Sequence, residues 1–169
     1  MTSSLLASGF LSRLRRPLTV SGVFFLTLTA ALCDGDDDDG NLGVSTDCID
    51  EIDFTDAFFD EDDVMAIAVG GSRSGQVSSS DPEIENYYYD IYALGLDDDR
   101  DVTIEVDPGA SFDADLTLAS STGTIIDYVD DRGPGDFEQI EMTLNDGCYV
   151  IGVSSPNTLE TGSYTLTVD

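Results

Sequence analysis

Residues 140–153 read Ile-Glu-Met-Thr-Leu-Asn-Asp-Gly-Cys-Tyr-Val-Ile-Gly-Val. Ile140, Met142 and Leu144 alternate with Glu141 and Thr143. Past the Asn145-Asp146-Gly147 turn signal, Tyr149, Ile151 and Val153 keep the same period. A period of two is that of a strand with one buried face, because successive side chains leave a pleated chain on opposite sides. The pattern recurs outward in both directions. Val102, Ile104 and Val106 alternate with Thr103 and Glu105, then stop at Asp107-Pro108-Gly109. Leu116 and Leu118 alternate with Asp115 and Thr117, and Tyr164, Leu166 and Val168 alternate with Thr165 and Thr167. Upstream, Val64, Ala66 and Ala68 run into Gly70-Gly71, a short strand follows from Gly75 to Ser80, and an aromatic strand spans Tyr87 to Leu94. Short strands closed by turns at intervals of roughly 8–12 residues define a sandwich or a barrel. Polar residues at the alternate positions favour antiparallel sheets with one wet face. Cys48 to Asp63 fits neither period and is expected to be a short helix or an extended cover over the sheets.

Charge narrows the function. The 169 residues hold 35 acids against 6 cations, all arginine, for a formal −29; there is no His and no Lys. A nucleic-acid partner is excluded, since phosphate binding rests on Lys and Arg. Imidazole metal sites and His-dependent nucleophiles are excluded as well. With 41% hydrophobic residues the chain can still build a core. Acid surfaces without lysine resemble those of proteins from high-salt environments, where salt screens the repulsion between carboxylates.

The charge is unevenly placed. Residues 1–33 hold no acid and three of the arginines, Arg13, Arg15 and Arg16, ahead of the apolar run Val20 to Leu32. A basic stretch, a short apolar core and small residues near its end make a secretory signal. The run is shorter than the roughly 20 apolar residues of a membrane span. Cys33 closes it, and Thr29-Ala30-Ala31-Leu32-Cys33 is similar to the lipobox of bacterial lipoproteins, with Leu32 where a small residue is usual. Two outcomes follow. With a lipid on Cys33 the chain sits at the cell surface, outer membrane or periplasm, touching membrane only through that anchor; without it, the chain is secreted. Residues 34–46, opening Asp-Gly-Asp-Asp-Asp-Asp-Gly, read as a self-repelling solvated linker. Beyond residue 33, 35 acids face only Arg73, Arg100 and Arg132, a formal −32.

If Cys33 belongs to the signal, Cys48 and Cys148 remain, and export makes a disulfide the natural reading against two free thiols. Cys148 would then point away from the Tyr149, Ile151 and Val153 face, so the bridge would strap the N-terminal extension, residues 47–73, across an outer face or edge.

Over residues 74–169 the order of the pieces resembles the bacterial pre-peptidase C-terminal domain family. The pieces are Gly75-Gln76-Val77 with Asp81, the Tyr87 to Tyr92 strand, Val102 to Val106, and Phe112-Asp113-Ala114-Asp115-Leu116-Thr117-Leu118. They continue through Gly123-Thr124-Ile125-Ile126, Asp130-Asp131, Ile140 to Leu144, Gly147 to Val153 and Gly162-Ser163-Tyr164-Thr165-Leu166-Thr167-Val168. The resemblance implies an all-β, antiparallel, jelly-roll-like β-sandwich that is non-catalytic and normally sits behind secreted peptidases. Related collagen-binding domains bind calcium and matrix protein. No peptidase domain precedes the sandwich here, so a stand-alone module behind an export signal is expected.

Three stretches of the sequence bear on a site. Asp113, Asp115, Asp130 and Asp131 are candidate Ca²⁺ ligands, if their loops meet at one end of the sandwich, because hard cations need several converging oxygens. Tyr87, Tyr88, Tyr89 and Tyr92 are a candidate binding surface for an extracellular protein or glycan, offering apolar area with a polar tip. Gly71-Ser72-Arg73-Ser74-Gly75 is no nucleophile elbow, because Arg73 stands where the Ser must be. The expected function is a non-catalytic exported module for surface binding or adhesion, or an accessory to secreted enzymes. The alternative is a calcium-stabilised structural module of a secreted peptidase system.

Overall fold

The computed structural model describes residues 47–55 and 57–169. The expected signal segment 1–33 with Cys33, and the linker 34–46, lie outside the described residues. Eleven strands follow a four-residue helix, Asp47–Asp50, and a 3-10 turn, Glu61–Asp63. They are β1 Val64–Ile67, β2 Gly71–Val77, β3 Glu83–Ile84, β4 Tyr87–Tyr88, β5 Asp90–Leu96, β6 Arg100–Pro108, β7 Asp115–Ser120, β8 Ile125–Val129, β9 Glu138–Leu144, β10 Gly147–Ser154 and β11 Gly162–Val168. A five-stranded sheet in the order β1-β5-β10-β7-β8 packs on a four-stranded sheet in the order β2-β11-β6-β9, and β3 and β4 form a small hairpin.

The expected core faces meet between the two sheets. Val102, Ile104 and Val106 of β6, Ile140 and Leu144 of β9 and Leu166 and Val168 of β11 pack against Tyr92, Leu94, Leu116, Leu118, Ile151 and Val153. Each such side chain contributes roughly 1.5–3 kcal/mol when fully withdrawn from water. The outward positions of the four-stranded sheet, including Ser74, Asp107 and Glu141, remain wet.

Two features depart from a simple antiparallel meander. β1 runs parallel to β5, pairing Val64 with Ile91 through Ile67 with Leu94, so the all-antiparallel expectation fails at this edge. The reason lies in the path of the chain. The strap crosses the outer face before β1 begins, and the Gly70-Gly71 turn, with Gly70 at φ 77°, then carries the chain into the other sheet. The second departure is at Asn145-Asp146, which joins β9 of one sheet to β10 of the other rather than closing a hairpin.

β5, β7 and β10 are buried on both faces. Their outward residues Ile91, Ala93, Ala119 and Val150 form a second apolar cluster with Cys48, Ile52, Phe59 and Val64. The irregular Cys48–Asp63 stretch is therefore a cover, with turns in place of a regular element. Phe58 meets Phe59 and Tyr89 edge-on at 5.1 Å in each case. Asp53 N–H donates to the Ser121 carbonyl at 2.8 Å. Asp60 caps the 3-10 turn, accepting from Asp62 N–H at 3.1 Å, while Asp63 accepts from Asp60 N–H at 3.0 Å. A Cys48–Cys148 disulfide, with Cα atoms 5.5 Å apart, fastens this cover to β10.

Candidate functional site

At one end of the five-stranded sheet, beyond the strap, the outer face turns polar. Asp115 opens β7 and pairs in register with Ser154 at the end of β10; two residues on, Thr117 lies between Gly152 of β10 and Tyr128 of β8. Leu116 and Leu118 enter the core, so Asp115 and Thr117 take the outer face by alternation. Tyr89 lies over Gly152, where any side chain would meet Tyr89 and Thr117. The Ser154 hydroxyl, at the same end, is buried without a hydrogen-bond partner.

Asp115 is only 6% exposed. One carboxylate oxygen, Oδ2, accepts from the Tyr128 hydroxyl at 3.3 Å. The other, Oδ1, is buried with no hydrogen-bond partner, as is Oδ1 of Asp113. Burial pushes the Asp115 carboxyl up to about 7, opposed by the Tyr128 bond and reinforced by the charges of Asp130 and Asp113. Burial likewise raises Asp130, with Asp113, Glu138 and Asp131 adding to it. Burial and then the Asp115 charge push Tyr89 up to about 12 and raise Tyr128. Asp115 thus lies within electrostatic reach of Asp113, Asp130, Tyr89 and Tyr128.

The structure thus unites three of the four proposed calcium ligands with one of the four proposed tyrosines. Asp131 stands at the rim: its carboxylate is exposed, and its backbone N–H donates to Glu138 at 3.3 Å. Asn157 Nδ2 donates to Asp113 Oδ2 at 3.3 Å. Among the described residues, no group of three or more His, Cys, Asp or Glu is arranged to hold a metal ion. The donors present fall short of the six to eight oxygens that Ca²⁺ takes. Tyr87 and Tyr88 are half-buried in β4, Tyr88 packing against the main core. Tyr92 is 1% exposed and belongs to the core, not to a surface. Arg73 lies on a strand, where its guanidinium donates to the Ala66 carbonyl at 3.1 Å.

Sequence reasoning missed Tyr128 and Glu138 as site residues. Glu138 is 1% exposed and accepts from Arg132 N–H at 2.6 Å, which ties down the loop carrying Asp130 and Asp131. The available signal was an acid at the head of the apolar Ile140 strand. Tyr128 could have been found as the aromatic beside Asp127 and Asp130 on the Ile125-Ile126 strand.

Neither a family model nor a curated protein matches the chain. Solved structures do. One is the pre-peptidase C-terminal domain of a collagenase from Bacillus anthracis, 16% identical, covering 61% of this chain and 91% of its own, with a TM-score of 0.50. Another is a periplasmic inhibitor of g-type lysozyme from Aeromonas hydrophila, 20% identical, covering 59% of this chain and 83% of its own, with a TM-score of 0.41. The sandwich has the pre-peptidase C-terminal domain fold, as the order of its strand motifs indicates.

Proposed function

We propose that the chain is an exported, non-catalytic β-sandwich module that binds an extracellular protein or glycan. The observation that carries this reading is the Asp113, Asp115, Asp130 and Tyr128 corner: partly buried acids beside an exposed tyrosine. The outward face of the other sheet is polar and open to solvent, which suits a module that works in water. Lipidation at Cys33 would hold it at the cell surface, and its absence would release it. The intact mass of the mature protein reports the cleavage site, the lipid and the disulfide together. Affinity capture from culture medium and envelope extracts with the exported chain tests the binding. A specific partner supports the module; turnover on a peptide or glycan panel overturns its non-catalytic character. A captured secreted peptidase would favour the accessory role over adhesion.

A second reading, a calcium-stabilised structural module of a secreted peptidase system, has the donorless oxygens of Asp113 and Asp115 in its favour. Calorimetry and melting at millimolar Ca²⁺ separate the two. Binding heat with a higher Tm supports the structural module, and neither signal at millimolar calcium rejects it.

A further inference from the structure

We propose that residues 47–63 are a redox-latched strap: reduction of the Cys48–Cys148 disulfide by a dithiol lifts them off the sheet and bares the apolar outer face of β5, β7 and β10, while the two-sheet sandwich stays folded. The inference goes beyond the reading of the chain as a binding module and does not depend on it.

The strap is held more by its bridge than by its own packing. It contains a four-residue helix and a three-residue 3-10 turn, with irregular chain between them. Among its described residues, the buried apolar side chains are Cys48, Ile52 and Phe59. Ordering an irregular segment costs conformational freedom at every residue, which burial at so few positions does not offset. A cavity of about 20 Å³ lies between Ile52, Ala57 and Phe59 of the strap and Ala119 and Val150 of the sheet. Atoms that line a void forfeit contacts on that side. Besides the bridge, the Asp53 bond to Ser121 and the edge-on ring contact of Phe58 with Tyr89 tie the strap down. The covalent link supplies the rest by keeping the strap beside its seat.

What stays behind is anchored separately. The main core between the sheets takes no side chain from the described residues of the strap. β1 does not leave with it: Ile67 packs in that core, Val64–Ile67 pairs with Ile91–Leu94 of β5, and Arg73 donates to the Ala66 carbonyl. The hinge therefore falls at the 3-10 turn Glu61–Asp63, which buries no residue. The latch itself is open to attack from one side. Cys48 is 2% exposed, but Cys148 is half-buried, and its partner in register on β5 is Gly95, which sets no side chain beside it. One thiolate of the dithiol attacks Cys148 Sγ; the S–S bond breaks, and Cys48 leaves as a thiolate that takes up a proton. The second thiol of the reductant then displaces Cys148 and closes its own disulfide, so two electrons and two protons pass to the cystine.

The test exposes the full chain to dithiothreitol without denaturant and follows amide hydrogen exchange by mass spectrometry, with alkylation at Cys48 and Cys148 read on the same peptides. Expected is alkylation of both cysteines, exchange about ten-fold faster or more across residues 47–63, and new binding of an apolar fluorescent dye. Protection of β6, β9 and β11 stays as in the oxidised chain, and an oxidised dithiol restores the strap. Cys48→Ser with Cys148→Ser shows the open state without reductant; if that variant fails to fold, reduction of the folded parent carries the test alone. Cysteines that dithiothreitol leaves unalkylated overturn the latch. Alkylated cysteines with the strap still protected show that packing holds it and overturn the latch as well. Loss of protection in β6, β9 and β11 together with the strap means global unfolding and overturns the separable unit. None of these outcomes bears on capture of a partner by the oxidised chain, which tests the binding module.

Discussion

Tyr164 of β11 donates its hydroxyl hydrogen to Asp90 of β5 at 2.5 Å, across the interface between the two sheets. The Tyr92 hydroxyl, 2.7 Å away, donates in turn to the Tyr164 oxygen, whose own hydrogen is committed to Asp90. Burial pushes the Asp90 carboxyl up to about 6, the Tyr164 bond opposes that, and Asp81 adds to it. Tyr164→Phe removes the donor to Asp90 and the acceptor for Tyr92. The expected cost is roughly 1–3 kcal/mol, read as a lower urea midpoint at neutral pH. An unchanged midpoint would show that this cross-sheet bond does not hold the sandwich.

The same tyrosine limits its neighbour. A Cβ at Gly75 would overlap the Tyr164 ring. Gly75→Ala is expected to destabilise by roughly 1–3 kcal/mol through overpacking and to shift the ring resonances of Tyr164. A Tm equal to the parent's would show that β2 yields without cost.

Stability should rise as the solution is acidified from neutrality. Asp90 and Asp115 have folded-state values of about 6 and about 7 against an ordinary 3.8. In that interval the folded state holds protons that the unfolded state has released. Stability is therefore greatest near pH 4 and is lost as pH rises through about 6 and about 7, by up to about 1.4 kcal/mol per pH unit for each group titrating. The groups facing Asp115 are Asp113, Asp130, Tyr128 and Tyr89. Melting between pH 4.5 and 8 checks this: Tm falls with pH in the parent and falls less steeply in Asp115→Asn. A Tm that climbs toward pH 8 would contradict the burial of both carboxyls.

Much of this architecture was legible in the alternation of single strands. Val102 to Val106, Ile140 to Leu144 and Tyr164 to Val168 each bury the face that their period marked, because a wet outer face leaves a clean pattern. Cys148 proved to lie opposite the core face for the same reason. Strand partnership was not legible. The parallel β1–β5 pair and the passage from β9 to β10 between sheets depend on where the chain travels, which local period does not encode. The site was half legible. Asp113, Asp115 and Asp130 were identifiable as oxygens at strand ends, but the bond from Tyr128 to Asp115 depends on β7 pairing with β8, and Tyr92 entered the core because it shares the inward face of β5 with Leu94.

The strap should matter to stability more than to topology. Cys48→Ser with Cys148→Ser opens a loop with a sequence separation of 100, expected to cost about 4–5 kcal/mol in the chain-entropy model. The protected amides of β6, β9 and β11 should persist, since the main core lies beyond the strap. Loss of protection throughout would make the cover part of the folding core.

Salt should stabilise the protein. With −32 formal charges beyond residue 33, self-repulsion weakens as ions screen it. Tm is expected to climb from low to molar NaCl, and a flat or falling curve would count against an acid shell adapted to salt.

The most direct measurement places a photo-cross-linking residue at Ile126 of the exported chain, with a second at Thr165 on the opposite sheet as reference. The account predicts an adduct to an extracellular protein from position 126, absent from position 165. Adducts from Thr165 alone, or from neither position, would contradict it.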